Sequence, residues 1–177
     1  VFTVVRTATV AANGRVSWTL RPKHSTTYRI DFAGDGQWEP ASAEVAVSVR
    51  PRVRLSAPSA VYEGRRVKFT VRVDPAHPGA TVGLQRRVDG VWTDWRTVAL
   101  NEQSRGVSVW RTAGIKTFAF RAVAAADENH AAGKSAKVTL KVRDPNPYGV
   151  PRRPAHFIVV DKSQYKLYYH EHGRIVR

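Results

Sequence analysis

Residues 66–74 read RVKFTVRVD, with Val67, Phe69, Val71 and Val73 alternating with Lys68, Thr70 and Arg72. A period of two is that of a β-strand with one face buried and the other wet. The same alternation sets Phe118, Phe120 and Ala122 against Thr117, Ala119 and Arg121, and Val138, Leu140 and Val142 against Lys137, Thr139 and Lys141. Turn signals separate these runs. Asp89-Gly90 is a favoured pair for a two-residue hairpin loop and predicts strands over 81–88 and 91–100. Residues 51–58, bounded by prolines, read as an edge strand, where a missing N–H faces no partner.

The pattern is duplicated. Residues 106–142 have a degraded copy at 14–49, in which Val16, Trp18 and Leu20, then Tyr28, Ile30 and Phe32, then Val45, Val47 and Val49 each share a face. Matching Arg6 with Arg96, Tyr28 with Phe118 and Val49 with Val142 gives offsets of 90, 90 and 93 residues. That period is one sandwich-sized β-domain. The expected fold is all-β: tandem immunoglobulin-like antiparallel sandwiches followed by a C-terminal β-hairpin. On this alignment residues 1–50 are the second half of a sandwich with strands at 1–10, 15–20, 26–32 and 43–49, and residues 51–143 are a complete one. A half sandwich should depend on help to fold, because it leaves an open apolar face and unpaired edges.

Charge adds a surface to this picture. The net charge is +15, of which +10 falls on residues 51–143, so the complete sandwich presents a field that favours polyanions. Nucleic acid, an anionic membrane or the anionic polymers of a bacterial wall all fit the sign, although 21 Arg against 8 Lys also matches what a GC-rich genome encodes. No nucleic-acid-binding motif accompanies the charge. Trp92, Trp95 and Trp110 lie near Arg86, Arg87 and Arg96, which makes Arg86, Arg87, Trp92, Trp95 and Arg96 a candidate stacking and cation-π surface for a glycan or a nucleic acid strand. The plainer expectation is that at least two of the three tryptophans fill the core. Trp38, between strands, is expected to cap the sandwich end.

Candidate chemistry is sparse. There is no cysteine, hence no disulfide framework, thiolate metal site or thiol nucleophile in these residues. No cofactor or metal site is expected: His170-Glu171-His172 lacks the four-residue helical spacing of a zinc motif and reads as a solvated turn. No apolar run approaches the roughly 18 residues of a membrane span. The chain begins without methionine, and an export signal is expected upstream of Val1.

Residues 144–155 are expected to be a semi-rigid, proline-rich linker, with four prolines in the eleven residues DPNPYGVPRRP. Residues 156–177, HFIVVDKSQYKLYYHEHGRIVR, match nothing in the repeat and predict a buried strand at 157–160, a turn, an alternating strand at 164–169 and the start of a third strand. Ile158, Val160, Asp161, Gln164, Leu167, Tyr169, Gly173 and Val176 stand where the opening strands of the L,D-transpeptidase catalytic domain carry their pattern. The tail resembles that opening, and the repeats resemble bacterial immunoglobulin-like domains. The resemblance implies a downstream cysteine, in a motif of Ser/Thr-His-Gly-Cys type, that attacks the peptide stem of peptidoglycan with help from a histidine. None of those residues can be carried over to this sequence, which has no cysteine, so these 177 residues are expected to have no such activity. The expectation is an immunoglobulin-like stalk of a secreted, wall-associated protein, in contact with peptidoglycan or anionic wall polymers, that positions a transpeptidase domain. The rival is an autonomous module binding a wall polymer or glycan.

Overall fold

The computed structural model describes residues 1–176, and among them there are fourteen strands and no helix. Residues 52–143 form a two-sheet sandwich. One sheet has the order β3 (Arg52–Ser56), β5 (Arg66–Asp74), β8 (Arg105–Arg111). The other runs β4 (Ala60–Tyr62), β11 (Val138–Arg143), β9 (Thr117–Ala124), β6 (Thr81–Val88), β7 (Val91–Ala99), with β10 (Gly133–Lys134) appended to β9. The chain crosses between the sheets from β3 to β4, β4 to β5, β5 to β6, β7 to β8 and β8 to β9, and short β4 runs parallel to the last strand, β11. This is an immunoglobulin-like strand order, and it is what assigns the fold.

The predicted alternation is realised on β5, where Val67, Phe69, Val71 and Val73 are buried against Leu84, Phe118, Phe120 and Leu140 of the facing sheet. Edge strand β3 lies where the prolines put it. The β6–β7 turn carries Asp89 and Gly90 at φ of 48° and 83°, the left-handed pair that a two-residue hairpin loop requires.

The first unit departs from expectation. Residues 1–10 and 15–20 are not strands, although Asn13-Gly14 does turn the chain, with Gly14 N–H donating to the Ala11 carbonyl at 2.9 Å. Only β1 (Thr26–Phe32) and β2 (Ala41–Val47) pair, as an isolated two-stranded sheet. Tyr28 faces Val45, two residues from the partner that the repeat with Phe118 and Leu140 predicts; a shift of two keeps every side chain on its face. That face is not buried: Ile30 and Val45 are both exposed. The periodicity was there, but no opposing sheet packs on it. Trp38 is 68% exposed and caps nothing.

The tail forms a three-stranded meander, β12 (His156–Asp161), β13 (Lys166–Glu171) and β14 (Arg174–Ile175); Arg177, the last residue of that expected unit, lies outside the described residues. The proline-rich segment is not a free spacer. Asn146 ties it into a loop by accepting from Val150 N–H at 2.8 Å and donating to the Val150 carbonyl at 3.0 Å. Ile175 N–H donates to the Pro145 carbonyl, His172 N–H donates to the Ala155 carbonyl, and the Tyr148 ring lies 5.4 Å from that of Tyr168. Internal hydrogen bonds and aromatic packing outweigh the extended preference of proline. The strand at 157–160, expected to be buried, is half-buried on the face of Phe157 and Val159 and open on the other, where Ile158 and Val160 are 64% and 63% exposed.

Candidate functional site

The five residues read from the sequence as one aromatic and basic surface are divided between the two faces of their sheet. Alternation alone sends Arg86 and Arg87, and Trp92 and Trp95, to opposite faces; a β-bulge opposite Leu84/Gln85, where Leu84 faces Arg96, Gln85 faces Asp94 and Trp95 is the extra residue, then brings Arg96 to the same face as Trp95. Trp95 turns inward, its ring 5.6 Å from Phe69, 5.1 Å from Phe120 and 5.6 Å from Trp110. Trp95 and Trp110 therefore serve the core, as the plainer expectation had it. Arg96 follows Trp95 to the sandwich edge. Its guanidinium lies 4.7 Å over the Trp95 ring and donates to the Val109 carbonyl on β8 at 2.8 Å, joining the two sheets. Arg86 points to the Phe118 ring, 5.9 Å away.

Trp92 and Arg87 lie on the outer face, paired across the β6–β7 hairpin. Trp92 is half-buried under Arg121, whose guanidinium is 4.6 Å from the ring and donates to Gln85 at 2.7 Å, while the Gln85 amide donates to Asp94 at 2.8 Å. Trp92 is thus already covered by a cation whose own partners are in place. Arg87 donates to the Gly90 carbonyl and supports its own hairpin. The single stacking surface does not form.

The basic surface lies instead on the outside of the opposite sheet. Arg54, Arg72 and Arg105 stand directly opposite one another across β3, β5 and β8, and Arg66 stands opposite Arg111. Arg52 and Lys68 extend the same face, on which Asp74 is the sole acidic neighbour in these strands. Like charges facing across strands are destabilising by a few tenths of a kcal/mol to about 1 kcal/mol per pair. None of these seven cations has an ion-pair partner among the described residues. Their alternation with the core residues of β3 and β5 was visible in the sequence, but which strands are neighbours was not. A sheet face of this kind has no cavity; what it can do is hold a polyanion by charge and release counterions.

A second constellation joins residues that no local motif connects. His77, Asp127 and His130 bring one ligand atom each to within 4.8 Å of one another, on two loops of the sandwich. The Asp127 carboxyl is pushed up by partial burial, but the N–H of Asn129 and the His130 ring outweigh that and hold it below the usual carboxylate range.

No family model and no curated protein matches the chain. Among solved structures it is similar to a marsupial T cell receptor, at 10% identity and a TM-score of 0.43, over 64% of this chain and 62% of that one. It is also similar to the CARDB domain of the PF1109 protein of Pyrococcus furiosus, solved in complex with di-metal ions, at 15% identity and a TM-score of 0.34, over 53% of this chain and 93% of that one. Neither likeness carries an argument here. The strand order given above assigns the sandwich without them.

Proposed function

We propose that this chain is the immunoglobulin-like stalk of a secreted wall protein, and that its tail opens an L,D-transpeptidase domain that cross-links peptidoglycan. The observation that carries the reading is the exposed face of the tail sheet. Ile158 pairs with Tyr169 and Val160 with Leu167, so four of the eight positions of the transpeptidase resemblance form one cross-strand block. Ile158, Val160 and Leu167 are 64%, 63% and 62% exposed. On the opposite face Tyr148 of the proline-rich segment packs against Tyr168 and His170. A sheet with one face packed and the other apolar and open suits the first layer of a larger domain. The basic face of the sandwich, on this reading, rests on anionic polymers of the wall while the tail presents the catalytic domain.

The test is the coding sequence beyond Arg177. It should continue for about 100 residues or more, the scale of a domain, and supply one cysteine after a His-Gly pair with a histidine upstream. An extension of that length without cysteine would remove the enzyme and leave a wall-binding module in its place.

A further inference from the structure

His77 lies on the loop between β5 and β6, and Asp127 and His130 lie on the loop between β9 and β10. His77 Nδ1 is 2.7 Å from the Pro75 carbonyl oxygen, and His130 Nε2 is 2.9 Å from the Lys23 carbonyl oxygen. A carbonyl only accepts, so each of those nitrogens carries the ring's N–H, and in the neutral rings the lone pairs sit on His77 Nε2 and His130 Nδ1. These two atoms are 3.1 Å apart. The Asp127 carboxylate completes a triangle, with Oδ2 at 3.1 Å from His77 Nε2 and Oδ1 at 3.0 Å from His130 Nδ1. Three electron-rich atoms thus face one another across their lone pairs, an arrangement that a cation between them would satisfy.

We propose that this triangle binds a divalent metal ion of the zinc class, and that the ion fastens the N-terminal hairpin to the sandwich. The spacing fits: a tetrahedral ion with bonds of about 2.0–2.1 Å sets its ligand atoms roughly 3.3 Å apart. Two imidazoles and one carboxylate favour Zn²⁺ and its first-row neighbours over Ca²⁺ and Mg²⁺, which prefer all-oxygen shells. Each histidine already donates its other N–H to a backbone carbonyl, the outer-shell contact that orients metal-bound imidazoles. His77 is held further by its own backbone N–H, which donates to buried Ser104 Oγ at 2.6 Å.

The joint function follows from what His130 touches. Its Nε2–H reaches Lys23, ahead of β1, and on either side Ser25 N–H donates to the Asn129 carbonyl at 2.7 Å and Ala131 N–H to the Val49 carbonyl at 2.9 Å. Both ends of the β1–β2 hairpin are therefore anchored on the metal-bearing loop. Coordination at Nδ1 polarises the Nε2–H bond and tightens that anchor.

The experiment is calorimetric titration of Zn²⁺ into the chelator-stripped 177-residue chain, in which no thiolate competes because there is no cysteine. Saturable binding of one ion per chain at micromolar concentration is expected, with NMR shift changes at Ser25 and Asn129. Asp127→Asn retains an oxygen to accept the Asn129 N–H but loses the charge, and His77→Ala removes one ligand. Each should weaken binding by about 10–100-fold or more, with folding verified by circular dichroism, while His172→Ala leaves binding unchanged. Absence of saturable binding below millimolar Zn²⁺ would mean that a shared proton alone holds the triangle, and would overturn the proposal. So would binding that survives Asp127→Asn and His77→Ala but is lost on His156→Ala or His172→Ala.

Discussion

Replacing Trp95 by alanine should destabilise the sandwich far more than the same change at Trp92, three residues away on the same strand. Trp95 packs its ring against Phe69, Phe120 and Trp110, and supports the Arg96 guanidinium that bridges to β8. Truncating a packed tryptophan costs about 3–5 kcal/mol, and because Trp95 is partly rather than fully buried the lower end, about 3 kcal/mol, applies. Trp92 makes one cation-π contact with Arg121 at a surface position, worth about 0.5–1 kcal/mol. With a urea slope of about 2 kcal/mol per molar for a domain of this size, the midpoint should fall by about 1.5 M for Trp95→Ala and by no more than about 0.5 M for Trp92→Ala. Urea titrations followed by far-ultraviolet circular dichroism read this directly and avoid the lost indole fluorescence. Equal shifts, or a larger one at Trp92, would refute the inward packing of Trp95 on Phe69, Phe120 and Trp110.

Gly106 has no room for a methyl group: a Cβ there would lie 2.9 Å from the Ala99 carbonyl and closer still to Val98. Gly106→Ala should therefore cost about 1–3 kcal/mol by overpacking, measurable in the same titration. Asp161 is held below the usual carboxylate range by the Ser163 and Tyr148 hydroxyls, with partial burial opposing them. A depressed folded pKa gives stability that is present above the unfolded value of 3.8 and lost as pH falls through the folded one. Amide protection in the tail, taken relative to the intrinsic exchange rate, should fall below that pH, and Asp161→Asn should abolish that fall. Retention on purified walls should fall steeply with salt and with removal of anionic polymers, and Arg54→Glu with Arg72→Glu should abolish it. Retention that survives both would move binding to another surface.

What was legible in the sequence was what one strand decides alone. Val67 to Val73 alternate because each side chain must choose a face within its own strand, and Asp89-Gly90 turns because of the φ angles those two residues accept. The shared face of Trp95 and its neighbour Arg96 was hidden because a bulge, set by pairing with β6, changes the face of every residue after Trp95 on its strand. His77 and His130 are 53 positions apart, and only the closure of both sheets brings their loops together. The Arg54, Arg72 and Arg105 row likewise depends on the neighbour order of β3, β5 and β8. In the first unit the reverse holds: Val16, Trp18 and Leu20 alternate as a strand would, but with no opposing sheet to pack on they form none.

The central proposal, that the tail opens a transpeptidase domain, is tested most directly by measuring acyl transfer from a peptidoglycan stem peptide to an amine. The protein extended through its next domain should catalyse the transfer and lose it on thiol alkylation, and the 177-residue chain should be inactive. An extended protein that folds, contains the cysteine and shows no transfer, or one whose transfer survives alkylation, would contradict it.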